Sequence, residues 1–324
     1  MNQSGDGIAP VRLLDAGAVS PVRSQAIYHG LAERMDDAAP DTIVFCRPAA
    51  PCFCVGYHQS PREELDLDWC REQGYPVIRR RIGGGTVFLD GRQLFYQCIV
   101  HRRRAPFAVE AIYRRFLTPV VRALEGLGLC AALEAVNEIE VDGRRIAGTG
   151  GGQIAEAVVV VGNLLLDFPA ETMGRAWRVP SAAFRRLAED GLRRHVVTLR
   201  RALGTPPSHA ELGRRLAGEY ERAFGRPLVP GSLTAAEEAA IRREEERLGR
   251  LDEAPRLERR GSTLKVTRRV RVHEWIWPGV GGPARVTARV ADGRIEDLVV
   301  AGGGMDGGEA TRRVREALAT ITRR

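Results

Sequence analysis

Residues 79–90 read Arg79-Arg80-Arg81-Ile82-Gly83-Gly84-Gly85-Thr86-Val87-Phe88-Leu89-Asp90. Arginines close one strand-like segment, three glycines follow, and Thr86-Val87-Phe88-Leu89 opens the next, so the spacing predicts strand, loop, strand. Glycine lets backbone N–H groups approach an anion with no Cβ in the way. Arginine beside the loop supplies a forked donor suited to phosphate or carboxylate. Glycine-rich hairpins also serve bulges and tight turns, so the loop alone leaves both readings open. No Lys-Ser/Thr pair follows and the next element is a strand, which excludes a P-loop. The missing helix excludes a dinucleotide fingerprint as well.

Upstream, residues 20–38 predict a helix with Ala26, Ile27, Leu31 and Met35 on one face. Strands are expected at Asp41–Cys46, Cys52–Gly56 and Pro76–Arg81. Downstream, an Asp90-Gly91 turn leads to a strand at Gln93–Val100, then an amphipathic helix at about 107–127. A hairpin follows, Glu138–Val141 and Arg144–Ala147 around Asp142-Gly143, and a buried strand ends at Leu166. Between 170 and 250 the pattern is helical, clearest at 207–224 and 233–250; the second is so charged that it is expected to bridge domains. The tail predicts strands at 263–272, 284–290 and 294–300 and a closing helix at 308–322. The pattern is α+β, with a mixed-sheet domain over 1–250 and a small α+β accessory domain over 251–324.

At 324 residues, 44% apolar and 28% charged, the chain has globular composition and length for two domains. The longest apolar run, Ala157–Leu166, is broken by Asn163 and halted by Asp167, short of a membrane span. No basic segment leads into an apolar one at the N-terminus, so a cytoplasmic protein is expected. Six cysteines share no repeated spacing, and Cys52-x-Cys54 with His58 lacks a second ligand pair; reduced thiols packed in strands are expected. The net charge is +8, yet Lys265 is the only lysine among 49 basic residues, which points to coding bias rather than a nucleic-acid surface. The tail carries 15 basic and 10 acidic residues, a +5 excess that fits either steering of an acidic partner or a solvated surface. Trp275 and Trp277 flank Ile276 at strand spacing and are expected to pack rather than stack on bases; no nucleic-acid partner is expected.

Asn137-Glu138 precedes one strand of the second hairpin, and Arg144-Arg145 opens the other. A carboxylate such as Glu138 suits Mg²⁺, which is commonly held by one or two carboxylates and substrate phosphates. A fixed cation such as Arg145 suits charge building on an acyl or phosphate oxygen. Taken alone, Glu138 alternating with Glu140 also fits a solvent-facing strand edge.

Together these segments resemble the lipoate–protein ligases. Residues 79–90 are similar to the family motif R-R-x-x-G-G-G-x-V-F-H-D. Asn137-Glu138-Ile139 with Gly143-Arg144-Arg145-Ile146-Ala147-Gly148 resembles N-D-I…G-R-K-I-A-G, and Gly162-Asn163-Leu164-Leu165-Leu166 resembles G-T-L-L-L. Pro51 to Gln59 resembles P-x-x-x-x-G-x-x-Q. The resemblance covers roughly 20–250, and the tail looks like the accessory domain of the longer ligases. It implies a biotin/lipoate-ligase-like catalytic domain that activates lipoate with ATP and Mg²⁺ to lipoyl-AMP. The lipoyl group then passes to a lysine of a lipoyl-carrier domain. It further implies Arg80 and Gly83, Gly84 and Gly85 around the adenylate phosphate, and Val87 and Phe88 beside adenine. Asn137 would serve the nucleotide, Glu138 the metal, Gly148 the acyl tunnel, and Arg145 catalysis.

Several positions depart from the pattern, Glu138 conservatively, in place of aspartate. Arg145 replaces the signature lysine, keeping the charge but not a neutral amine, while Leu89 and Val161 replace histidines. The alternative is an acyltransferase of the same fold, moving octanoyl or lipoyl groups through a Cys130 thioester without ATP. Leu127–Leu133, around Cys130, reads as the buried start of a strand with no local base to activate the thiol.

Overall fold

The computed structural model describes residues 9–250 and 262–321. In chain order these form β1 (Val11–Val19), α1 (Pro21–Glu33), β2 (Thr42–Pro48), β3 (Cys52–Val55), α2 (Pro61–Glu64), α3 (Leu67–Glu72), β4 (Val77–Arg79), β5 (Val87–Leu89) and β6 (Gln93–His101). A 3₁₀ turn (Arg102–Arg104) leads to α4 (Val109–Glu125), β7 (Ala131–Glu134), β8 (Glu138–Val141), β9 (Arg144–Arg145), β10 (Ala147–Ile154) and β11 (Ala157–Leu165). Then come α5 (Ala170–Ala176), α6 (Ala182–His195), α7 (Leu199–Leu203), α8 (His209–Phe224), β12 (Leu228–Pro230) and α9 (Ala235–Gly249). The tail holds β13 (Ser262–Lys265), β14 (Val270–Gly279), β15 (Gly282–Ala291), β16 (Arg294–Ala301) and α10 (Gly307–Ile321).

These elements fall into two compact units. The first takes in residues 9–58, 74–168 and 197–250, and the second 59–73, 169–196 and 262–321. The tail thus shares its unit with α2, α3, α5 and α6.

A six-stranded sheet in the order β10-β11-β6-β2-β1-β12 organises the first unit. β1 runs parallel to β2 and β12, and the other pairings are antiparallel, so the sheet is mixed. Alternation along β6 sends Tyr96, Cys98 and Val100 to one face, packed with Phe116 and Val120 of α4 and Leu212 and Leu216 of α8. Ile99 faces the other way, with Ile27 and Leu31 of α1 and Ile241 and Leu248 of α9. Each Val, Leu, Ile or Phe among these, fully buried, contributes on the order of 1.5–3 kcal/mol. Two three-stranded sheets, β4-β3-β5 and β7-β8-β9, flank this one in the same unit.

Local signals explain the boundaries. Ser20 caps α1 by accepting from the Arg23 N–H, with Pro21 in the first turn. Thr234 and Glu237 form a reciprocal capping box on α9. Asp142 and Gly143 both take positive φ, 50° and 71°, as a two-residue hairpin turn requires. Helix α1 stops at Glu33 rather than near Ala38, and β1, with Asp15 and Gly17 interrupting its alternation, was not expected at all. Helix α9 does not bridge domains: it lies along α1 within the first unit, anchored by Arg12–Glu237 at 2.5 Å and Arg23–Glu238 at 2.7 Å.

In the second unit β13 to β16 form an antiparallel meander. Ala284, Val286, Ala288 and Val290 pack with Met305, Ala310 and Val314. Arg289 points to the opposite face, fully buried, where its guanidinium meets Glu296 at 2.9 Å, Asp297 and the Leu187 carbonyl. The expected 263–272 strand is two strands, β13 and β14, joined by a turn. Trp275 and Trp277 do pack, stacked with ring centroids 5.6 Å apart and planes 8° apart.

Candidate functional site

Arg80 is buried beneath the glycine triplet. Its Nη2 donates to the Gly85 and Gly83 carbonyls at 2.8 and 3.0 Å, its Nε to Gly83 at 3.2 Å, and its Nη1 to the Cys54 carbonyl at 3.3 Å. The guanidinium is therefore committed to the loop's own carbonyls, which holds Gly83–Gly85 exposed above it. Two glycines make this geometry possible. Gly84 sits at φ +106°, and a side chain on Gly56 would overlap the Gly84 carbonyl oxygen.

The loop lies against the edge strand β10. A side chain on Gly150 would meet Ile82 at 3.2 Å and approach the Gly83 carbonyl at 3.9 Å. Gly148, Gly150 and Gly152 alternate onto this face and leave it without side chains. In cross-strand register Gly150 lies opposite Val161, and Val161 opposite Gln97; Gly148 lies opposite Asn163. One polar chain ties β5 to β10. Gln93 Nε2 donates to the Phe88 carbonyl at 3.0 Å, Asn163 Nδ2 donates to Gln93 Oε1, and the Gly148 N–H donates to Asn163 Oδ1 at 3.2 Å. The Phe88 ring is buried, packed edge-on against Phe53 at 5.1 Å and Tyr75 at 5.6 Å, while Val87 is half-buried. Leu89 is buried in a cluster with Cys46 and Ile78, and Val161 is packed against the α1-side core.

Arg145 closes a two-point ion pair on Glu138, Nε to Oε1 at 2.9 Å and Nη2 to Oε2. The two stand on neighbouring strands, with Arg145 directly opposite Glu140. The solvent-facing edge that remained open for Glu138 and Glu140 is not what forms, since both are buried. Asn137 accepts a hydrogen bond from Thr149 Oγ1 at its carbonyl, and its side chain meets Tyr113, whose hydroxyl burial pushes toward the neutral form. With both Glu138 oxygens on a guanidinium, the pair as folded does not offer Mg²⁺ a donor set. Among the described residues no group of three His, Cys, Asp or Glu is arranged to hold a metal.

The cysteines divide sharply. Cys46, Cys52, Cys54 and Cys98 lie buried in strands and Cys70 lies buried in α3; burial pushes Cys46 and Cys98 up to about 12 and Cys70 up to about 11. Such thiols stay protonated and unreactive. Cys130 is different: the strand expected around it does begin, one residue later as β7 at Ala131, but its start is not buried, and Cys130 is exposed between the turn at 126–128 and that strand. Its carbonyl accepts from the Asp142 N–H at 3.3 Å, placing it beside the Asp142-Gly143 turn of the β8–β9 hairpin.

The fold therefore gathers Gly83–Gly85, Gly148, Asn137, Glu138 and Arg145 along β8, β9 and β10 and the loop against them. Gln93, Asn163 and Tyr113 were missed from the sequence; only the placement of Asn163 in the Gly-Asn-Leu-Leu-Leu segment hinted at a role.

The octanoyltransferase LipM of Symbiobacterium thermophilum is 29% identical over 250 residues, covering 70% of this chain and 91% of that protein. The lipoate-protein ligase LplJ of Bacillus subtilis is 31% identical over 129 residues, 40% of this chain and 38% of that protein. The bipartite lipoate protein ligase of Thermoplasma acidophilum superposes with a TM-score of 0.69 at 21% identity, covering 78% of this chain and 98% of that one. Lipoate-protein ligase A bound with ATP gives 0.65 at 21% identity, covering 77% and 100%. The last two establish the mixed α+β ligase fold. Residues 20–221 match the model of the lipoyl protein ligase A/B catalytic domain, and the chain belongs to that family.

Proposed function

We propose that this protein is an acyltransferase that moves an octanoyl or lipoyl group from a thioester donor, through Cys130, onto a lysine of a lipoyl-carrier domain. The observation that carries this reading is the exposure of Cys130 beside the hairpin that holds the Glu138–Arg145 pair, while the other five thiols are buried. Relatives spanning about nine-tenths of their own length on this chain are octanoyltransferases, which supports the same choice.

The Cys130 sulfur attacks the donor carbonyl, its proton leaves with the displaced carrier thiol, and an acyl-cysteine forms. The neutral lysine amine of the lipoyl domain then attacks that thioester. The C–N bond forms as the C–S bond breaks, and an amine proton returns to sulfur. The glycine loop and the side-chain-free face of β10 would cradle the acyl chain, with loop N–H groups near the oxygen that gathers charge. Incubation with an octanoyl-carrier thioester and a lipoyl domain, without ATP, tests this. The expected results are an acyl-enzyme one octanoyl group heavier and a modified carrier, both absent in Cys130→Ser. Modification that proceeds unchanged in Cys130→Ser would overturn it.

A second reading, ATP-dependent ligation through lipoyl-AMP, is favoured by the intact glycine loop and by the strand-rich tail. It places Arg80 and Gly83–Gly85 around the phosphate, Val87, Phe88 and Asn137 at the nucleotide, Gly148 at the acyl tunnel and Arg145 on the acyl-phosphate oxygens. For Glu138 to hold Mg²⁺ its pairing with Arg145 would have to open. Pyrophosphate release that requires both ATP and lipoate would select this route.

A further inference from the structure

The Arg80–Gly85 loop is held from a second side, by helix side chains outside the family motifs. The backbone N–H of Arg81 donates to Nε2 of His29, in the middle of α1, at 3.3 Å. The Arg81 guanidinium reaches Glu33 of α1 at 2.6 Å and Glu244 of α9 at 3.1 Å. Glu244 is itself buried and lies 3.6 Å from Arg247 on the next turn. The two helices come close enough for this because residue 30 is glycine: a side chain there would run into the backbone of Ile241 at 2.6–2.7 Å.

His29 has no exposed surface. Because Nε2 accepts a hydrogen bond, the neutral ring carries its proton on Nδ1, and Nδ1 is buried with no partner among the described residues. Burial, with Arg81 and Arg247 adding positive charge nearby, holds the ring far below its ordinary protonation range. An unpartnered buried donor is a cost that an apolar side chain in this helix interface would not carry. What the imidazole adds is one acceptor, aimed at the peptide that enters the glycine triplet.

We propose that His29 is a positioning residue: its neutral ring fixes the Arg81 peptide, and Glu33 and Glu244 latch the Arg81 side chain, so that Gly83–Gly85 are presented in one orientation. Arg80 braces the loop's carbonyls from within, and His29 sets where the loop begins. The effect on catalysis rests on the acyl-transfer reading, whereas the brace itself does not.

The test uses the full chain with His29→Leu, which removes the acceptor, and His29→Gln, which retains one. Amide hydrogen exchange of residues 80–86, followed by mass spectrometry without substrate, should be roughly tenfold faster in His29→Leu and return toward the parent in His29→Gln. In steady-state acyl transfer His29→Leu should raise KM for the acyl donor severalfold with a smaller change in kcat, again recovered by His29→Gln. Should His29→Leu not fold, Glu244→Gln loosens the same latch with almost no change of shape and should raise loop exchange by a smaller factor. Loop exchange equal to the parent in the folded variant overturns the brace, whatever the activity. Faster exchange in a protein whose parent transfers no acyl group would overturn the assigned reaction and leave the brace standing.

Discussion

Arg145 holds Glu138 at both carboxylate oxygens, and the acid it holds has only 4% of its side chain exposed. In the family pattern this cation is a lysine, a point charge on a flexible stem. Here a planar fork matches the carboxylate edge on, so the pair is geometrically fixed as well as neutralised. The two residues expected to act separately, one on a metal and one on an acyl oxygen, form a single unit in this structure.

Removing half of that unit should be costly. Arg145→Ala removes the guanidinium from a buried carboxylate and should lower stability by roughly 2–4 kcal/mol, the partial exposure of Arg145 reducing the value for a fully buried pair. Arg145→Ala with Glu138→Gln should recover at least half of the loss, because the buried charge is then gone. Urea unfolding of the three proteins decides it. Equal stability of the single and double variants would show that the pair carries no burden of this kind.

Cys130 supplies the sharpest functional prediction. Cys130→Ser should reduce ATP-independent transfer by at least about a hundredfold, since a serine hydroxyl without an adjacent base is a poor nucleophile toward a thioester. The melting temperature should stay within a degree or two, the side chain being exposed. A reaction that instead follows ATP, with Cys130→Ser as active as the parent, would move the assignment to the ligase route.

Much of this architecture was legible beforehand, for identifiable reasons. The Asp142-Gly143 turn, the helical face of α4 and the strands around Gly83–Gly85 each carry a local signal, in turn residues or period, that tertiary packing leaves intact. β1 was not legible because Asp15 and Gly17 break its alternation; it is a strand because β2 and β12 pair with it on either side. The highly charged face of α9 suggested a solvated bridge, but its acids answer Arg12, Arg23 and Arg81, which come from distant parts of the chain. The inward direction of Arg80 was equally hidden: nothing in a run of three arginines tells which one braces the loop and which pairs with acids of the helices. Gly126 and Gly128 mark the turn after α4, but nothing local tells that Cys130, just beyond it, is left exposed.

The glycine loop can be tested without any substrate. Gly56→Ala puts a methyl group into the Gly84 carbonyl, whose position is fixed by Arg80, and backbone on both sides must shift. Gly84→Ala forces a side chain onto φ +106° and against Arg80 Nη2 at 2.6 Å. Each should destabilise by roughly 1–3 kcal/mol and lower activity further than stability alone explains. Gly83→Ala and Gly85→Ala meet nothing within 4 Å and should fold as the parent does. If those two nonetheless bind the acyl donor normally, the triplet does not line the acyl site.

The second unit should lose stability in mild acid through His273. This ring is buried on β14, stacked on Trp275 at 5.3 Å and hydrogen-bonded to Thr263 Oγ1 at 3.0 Å; burial, helped by Arg271, lowers it to about 4. Well above pH 6.5 the ring is neutral in both folded and unfolded chains, and it contributes no pH dependence. As pH falls from there the unfolded chain takes up the proton while the folded one does not, so stability declines; below about 4 both are protonated and the decline ends. Over the whole window the loss is about 2 kcal/mol once residual hydration of the site is allowed for. Carboxylates with lowered values, Glu296 among them, add their own loss at lower pH, so the comparison belongs between pH 7 and 5.5. There, tryptophan-monitored unfolding should become less favourable to the folded state in the parent, and the slope should flatten in His273→Gln, which can keep the bond to Thr263 without titrating. Parallel slopes in the two proteins would mean that His273 is solvated enough to titrate normally.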